Sequence, residues 1–171
     1  GFRLEDREGL IREVRALRTR ASPEALFRSF ASLGGERGWL VWNWAWALRG
    51  FLDRLLGGPG LRRGRRHPTE LLPGEAVDFW RVEAVEPPRL LRLRAEMRLP
   101  GRAWLEWEAR EAEGGSLLVQ TAYFEPKGLT GFLYWWALYP IHRRIFSDLA
   151  RAIVREAEAQ AEAPPRGGGA G

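Results

Sequence analysis

The chain has 171 residues, 45% of them hydrophobic and 29% charged, with nine tryptophans and no cysteine. That length suits one domain with a sizeable core, since a chain near 150 residues buries roughly 70% of its extended surface. Without cysteine there is no disulfide framework, thiolate metal site or cysteine nucleophile; with only His67 and His142 there is no ordinary histidine-rich zinc site, so no metal and no cofactor are expected.

The net charge of +5 is unevenly placed: residues 1–70 carry 14 Arg against 8 acids, and residues 71–171 carry 13 Arg and Lys against 14 acids. Lys127 is the single lysine. A surface that tracks phosphates draws on both basic residue types along one element, so no nucleic-acid partner is expected. The opening residues are charged and no secretory leader is expected, which points to the cytoplasm. The apolar stretch from Trp39 is broken by Arg49, Asp53 and Arg54, and that from Leu129 by Pro140, His142, Arg143 and Arg144. Both fall short of the roughly 20 residues of a membrane span, although their tryptophans and tyrosines would suit an interfacial helix.

In chain order, residues 10–18 read as a first strand. Ser22-Pro23-Glu24 is a cap, a proline at the first helical position and an acid at the positive helix end, so a short helix follows through Leu26, Phe30 and Leu33 and stops at Gly34-Gly35. A second helix runs from about Asn43 to Gly57-Gly58, with Trp44, Leu48, Phe51, Leu52 and Leu55 as its apolar stripe. Residues 57–74 form a long Gly-, Pro- and Arg-rich loop. Residues 76–86 read as one strand with Asp78, Trp80, Val82 and Ala84 inward.

Residues 90–99 and 103–110 alternate as antiparallel strands with one charged face. A three-residue loop Pro100-Gly101-Arg102 keeps both apolar sets on one side and sets Glu96 opposite Glu106 and Arg94 opposite Glu108. Residues 117–125 form a further strand with Gln120 or Thr121 as its inward polar group. Residues 129 to about 161 form a long helix with Leu138, Ile141, Ile145, Leu149 and Ile153 as its stripe and a kink at Pro140. The Pro- and Gly-rich residues 163–171 read as a disordered tail, leaving 1–162 as a single domain. One long amphipathic helix must then cover a curved antiparallel sheet. This is an α+β helix-grip arrangement, with the two shorter helices after the first strand and a cavity between sheet and helix.

Several motifs carry a resemblance. They include Trp46-Ala-Leu-Arg-Gly50 with Asp53, Gly57 through Arg66, Asp78-Phe-Trp-Arg-Val-Glu83, Leu93 through Met97, and Pro100 through Glu106. Gln120-Thr-Ala122 with Phe124, and Gly131 through Tyr134-Trp135 to Pro140, His142 and Ile145-Phe146, complete the set. Over about residues 10–158 the chain resembles an uncharacterised bacterial domain family of the START-like (SRPBCC, polyketide-cyclase-like) superfamily. The resemblance implies burial of apolar small molecules, with cyclisation or dehydration in a minority of relatives. It also implies an accessory place beside a Rossmann NAD(P)-binding domain, in the same or a partner chain. Gly57-Gly-Pro-Gly60 is not itself a dinucleotide fingerprint, because it neither follows a strand nor opens a helix.

The residues offer two chemistries for such a domain. As a non-catalytic binding site for an apolar or amphipathic ligand, Trp80, Met97, Trp107, Trp135 and Trp136 would line the cavity, with Asp78 and Gln120 orienting a polar end. As a cyclase or dehydratase, Asp78 and His142 would supply acid and base. Against both stand plain structural roles: Asp78 paired with an arginine from residues 62–66, a satisfied histidine, and tryptophans that fill the core of an interaction module. Arg62, Arg63, Arg65 and Arg66 would hold an anionic group or dock on a partner.

Overall fold

The structure, a computed structural model, describes residues 1–7, 9–58, 65–68, 70–96 and 99–162. In chain order the elements are β1 (Phe2–Arg7), β2 (Leu10–Thr19), α1 (Pro23–Ala31), α2 (Asn43–Leu55), β3 (Ala76–Val77) and β4 (Trp80–Glu86). They continue with β5 (Leu90–Ala95), β6 (Gly101–Ala112), β7 (Gly115–Pro126) and α3 (Gly128–Glu162). The seven strands make one antiparallel sheet in the order β1-β2-β7-β6-β5-β4-β3, with the long α3 packed across it. The expected tail and part of the arginine loop lie outside the described residues, as does Met97.

One strand more than expected stands at the edge. β1 pairs with β2, so the two short helices follow the second strand, not the first. Only Phe2 and Leu4 carry its apolar alternation, and both remain exposed as an edge strand allows.

α1 forms as its local signals require. The Ser22 hydroxyl accepts from the Ala25 N–H at 3.2 Å, Pro23 occupies the first turn, and Leu26 and Phe30 are fully buried. At its far end Arg65 donates to the Ala31 and Leu33 carbonyls, both at 2.8 Å. This half-buried guanidinium therefore finishes a helix, and Arg66 pairs with Glu75.

The expected strand at 76–86 is two strands. Asp78 and Phe79 form the turn between β3 and β4, with Asp78 at φ +53°, a left-handed conformation that aspartate tolerates and most side chains do not. Trp80 and Val82 do face inward, but a register shift between Val82 and Ala84 breaks the alternation there.

The β5–β6 register also differs from expectation. Leu91 faces Trp107, Leu93 faces Leu105, and Arg92 faces Glu106, where the pair bonds at 2.9 Å. The slip of four residues lengthens the connection. Being even, it leaves every apolar side chain on the same face. The expected Glu96–Glu106 juxtaposition would have opposed like charges, and Glu96 instead meets Arg81 at 2.9 Å.

α2 turns the other way. Trp46, Gly50 and Asp53 are buried, whereas the apolar stripe read from the sequence is exposed: Trp44 by 67%, Phe51 by 58%, Leu55 by 68%. Since Leu55 contacts no core, Leu55→Glu is expected to shift the melting temperature by no more than a degree or two, measured by thermal denaturation.

α3 continues through Pro140, which has no N–H for the Trp136 carbonyl. Its buried face runs through Trp135, Ile145, Phe146, Leu149, Ile153 and Ala157, while Ile141 is exposed. The Ser29 hydroxyl donates to the Ile153 carbonyl at 2.9 Å and ties α1 to α3. No helix among the described residues is long and apolar enough to cross a membrane.

Candidate ligand cavity

Between α2, the first half of α3 and the inner face of the sheet lies a cavity of about 350 Å³. The sheet supplies small or flat floor residues, Ala103, Ala122 and Phe124, and the two alanines leave the space above them open. α3 contributes Tyr134, Trp135, Leu138 and His142, and α2 contributes Trp46 and Arg49. Trp80 of β4 closes one side. Trp44, Leu48 and Leu52 of α2 and Ile141 of α3 belong to the wall and are also exposed, so the mouth opens between the two helices. Gly131 lets the first turn of α3 come down on the loop before β6: a Cβ there would strike the Pro100 carbonyl oxygen.

The expected site residues separate into two groups. Trp80, Trp135 and His142 stand in the cavity wall. Trp107 and Gln120 lie on the same face of the sheet but farther along it, outside the cavity wall: the Trp107 indole donates to Gln120 Oε1 at 2.8 Å, Gln120 Nε2 donates to the Phe146 carbonyl at 2.9 Å, and Trp107 stacks on Phe30. Trp136 is 39% exposed on the outside of α3 and contacts Phe132 and Tyr139. Arg62, Arg63 and Met97 lie outside the described residues.

Asp78 is buried but does not reach the cavity. Its Oδ2 accepts from the Trp39 indole N–H at 2.9 Å and from the Gly35 N–H at 3.1 Å. Trp39 packs in turn against Trp46 and Trp80, with ring centroids 5.3 and 6.2 Å away. The structure thus does not bring Asp78 and His142 to one ligand; Asp78 braces the tryptophan behind two wall residues. Asp78→Asn, which keeps an accepting oxygen and suits a positive φ, is expected to cost less than about 1 kcal/mol. Asp78→Ala strands two buried donors and strains the turn, and is expected to cost about 2–3 kcal/mol in urea unfolding.

The walls are largely apolar, with few polar groups and no Asp or Glu among them. Among the described residues of the wall Arg49 carries the one full charge, and it lies 5.6 Å over the Tyr134 ring. Burial pushes the Tyr134 phenol above its ordinary pKa. Burial, reinforced by the Arg49 charge, pushes the His142 imidazole down to about 4, so it is neutral at pH 7. His142 also packs between Trp135 and Phe146, at 6.0 and 5.7 Å. Reasoning from the sequence missed Arg49, reading it as a break in an apolar run; its place one turn after Trp46 was the available signal. It missed also the buried ion pair of Glu13 and Arg15 on β2, where Arg15 further donates to the Arg143 carbonyl at 3.0 Å and anchors α3. No group of His, Asp and Glu among the described residues is arranged to hold a metal ion.

A curved antiparallel sheet closed over a long C-terminal helix, with a cavity between them, is the helix-grip architecture of START-like and Bet v1-like proteins. Solved structures share it. The Zhui aromatase/cyclase from Streptomyces sp. R1128 superposes with a TM-score of 0.56 at 17% identity, covering 90% of this chain and 97% of that one. The di-domain ARO/CYC StfQ of the steffimycin biosynthetic pathway gives 0.54 at 12% identity, covering 90% of this chain and 52% of its own. Ara h 8.0201 gives 0.53 at 12% identity, covering 88% and 99%. At such identities the likeness is one of fold. None of the curated protein sequences matches the chain significantly. The chain belongs to the family described as Protein of unknown function (DUF2867), whose pattern matches residues 8–149.

Proposed function

We propose that this protein binds an apolar or amphipathic small molecule in the cavity between α2, α3 and the sheet, without itself catalysing a reaction. The observation that carries this reading is the cavity: about 350 Å³ lined mostly by aromatic and aliphatic side chains, at the lower end of the range small-molecule sites occupy. A core-filling role for the tryptophans would have left no such space. The likeness in fold to aromatase/cyclases supports a ligand between sheet and helix. An accessory place beside an NAD(P)-binding domain remains part of the proposal on the family resemblance alone.

Native mass spectrometry of the purified protein tests the reading, together with titration of an apolar fluorescent probe. A retained small molecule or probe binding is expected, and Ala122→Phe, which puts a ring into the floor, is expected to weaken binding at least tenfold while the protein still melts cooperatively. A blank spectrum with no probe binding would overturn the proposal. A cyclase-type activity is the second reading, favoured by the neutral His142 in the wall beside Arg49. It would have to proceed without Asp78, which Trp39 and Gly35 occupy.

A further inference from the structure

Several polar atoms of the cavity wall lack partners. Arg49 Nη2, Trp46 Nε1, Trp135 Nε1 and His142 Nδ1 are each sealed from solvent and have no hydrogen-bond partner. All four belong to residues of the cavity wall. Guanidinium and indole nitrogens only donate, and His142 Nδ1 joins them in the tautomer that carries its hydrogen there. A buried donor left without an acceptor is destabilising, so these donors around one cavity describe the missing half of a set of hydrogen bonds. The missing half consists of oxygens, and the charge beside them is positive. Asp53, one turn beyond Arg49 on α2, is fully buried and is not part of the described wall, although its charge reaches Tyr134.

We propose that the ligand is an amphipathic acid: an apolar body in the aromatic part of the cavity and an anionic, acceptor-only oxygen head, a carboxylate or an enolate, held by Arg49 with His142 and the Trp46 and Trp135 indoles. The proposal rests on the binding reading above and names its ligand class. A carboxylate accepts up to four hydrogen bonds and forms charge-assisted ones with a guanidinium. An ammonium head would bring donors to donors and a second positive charge to Arg49. An alcohol would satisfy one or two of the four groups and bring no negative charge to Arg49.

Decanoate, decanol and decylammonium, three probes with one chain and different heads, test this by calorimetry at pH 7 below their aggregation concentrations. Decanoate is expected to bind at least tenfold more tightly than decanol, with decylammonium weakest. Arg49→Gln is expected to bring the decanoate-to-decanol ratio to within about twofold of one, and Arg49→Lys to retain a preference for decanoate; thermal melting reports whether each variant is folded. Equal binding of decanoate and decanol by the unaltered protein, or a ratio unmoved by a folded Arg49→Gln, would overturn the acidic head while leaving the binding reading intact. Should none of the three probes bind, both fall together.

Discussion

Trp107→Ala is expected to cost about 4–5 kcal/mol, the largest loss of any single change considered, and to leave little folded protein at 37 °C. The side chain is completely buried, stacks on Phe30 of α1 at 6.2 Å between ring centroids, and faces Leu91 and Gln120 across two strand pairs. Truncating a buried tryptophan costs about 3–5 kcal/mol through lost burial and the cavity left behind. Removing the indole N–H also takes from Gln120 Oε1 its 2.8 Å donor, while Gln120 Nε2 remains tied to the Phe146 carbonyl on α3. That adds the penalty of an unpaired buried acceptor. Trp107→Phe keeps most of the ring area and loses the hydrogen bond, so about 2 kcal/mol is expected. Urea unfolding measures both: the midpoint should fall in the order given with an unchanged slope. A Trp107→Phe variant as unstable as Trp107→Ala would show that the Gln120 bond, not packing, dominates.

The parts of the fold that were legible in the sequence are those governed by neighbours along the chain. Ser22-Pro23-Glu24 states the start of α1 within three residues, and the alternation of Leu91 and Leu93, Leu105 and Trp107 states which face of β5 and β6 is buried. Neither needs knowledge of what lies far away. α2 shows the limit. Its helical period is plain, but a helix with an apolar stripe on one side and Trp46 on the other does not declare which side meets the sheet. The buried side is the one bearing Gly50 and Asp53, whose close packing no periodicity reveals.

The same limit governs the site. Asp78 is buried, and its Oδ2 accepts from the Trp39 indole, 39 positions earlier, a partner that no local pattern announces. Trp80, Trp135 and His142 reach one cavity because β4 and the first half of α3 face each other across it. Trp107 reads identically in the strand pattern and lies farther along the same face, against Phe30 of α1. The distinction depends on Ala103 and Ala122, whose small side chains leave space open above them, and absence of volume is the least visible property of a sequence.

Acidification from pH 7 to pH 4 is expected to remove about 3 kcal/mol of stability through His142 alone. The imidazole has an ordinary pKa near 6.5 and is held at about 4 in the folded protein, first by burial and then by the Arg49 charge. Between these values the unfolded chain binds a proton that the folded one refuses, so stability is complete above pH 6.5 and declines as pH falls toward 4. A difference of this size corresponds to about 3 kcal/mol at 1.36 kcal/mol per unit. The window separates this group from the carboxylates: Glu75, hydrogen-bonded to Arg66, and Glu108, bonded to Arg110 and Arg89, are held below the ordinary value of 4.5, and their contributions are lost only at lower pH. Urea unfolding at pH 7, 5.5 and 4.5 measures the decline, and His142→Leu, which fills the same space without a titrating ring, is expected to flatten it. A variant that loses stability as steeply as the parent over this range would show that another group is responsible. It would also remove the support for a neutral imidazole beside Arg49, the one charged residue among the described residues of the cavity wall.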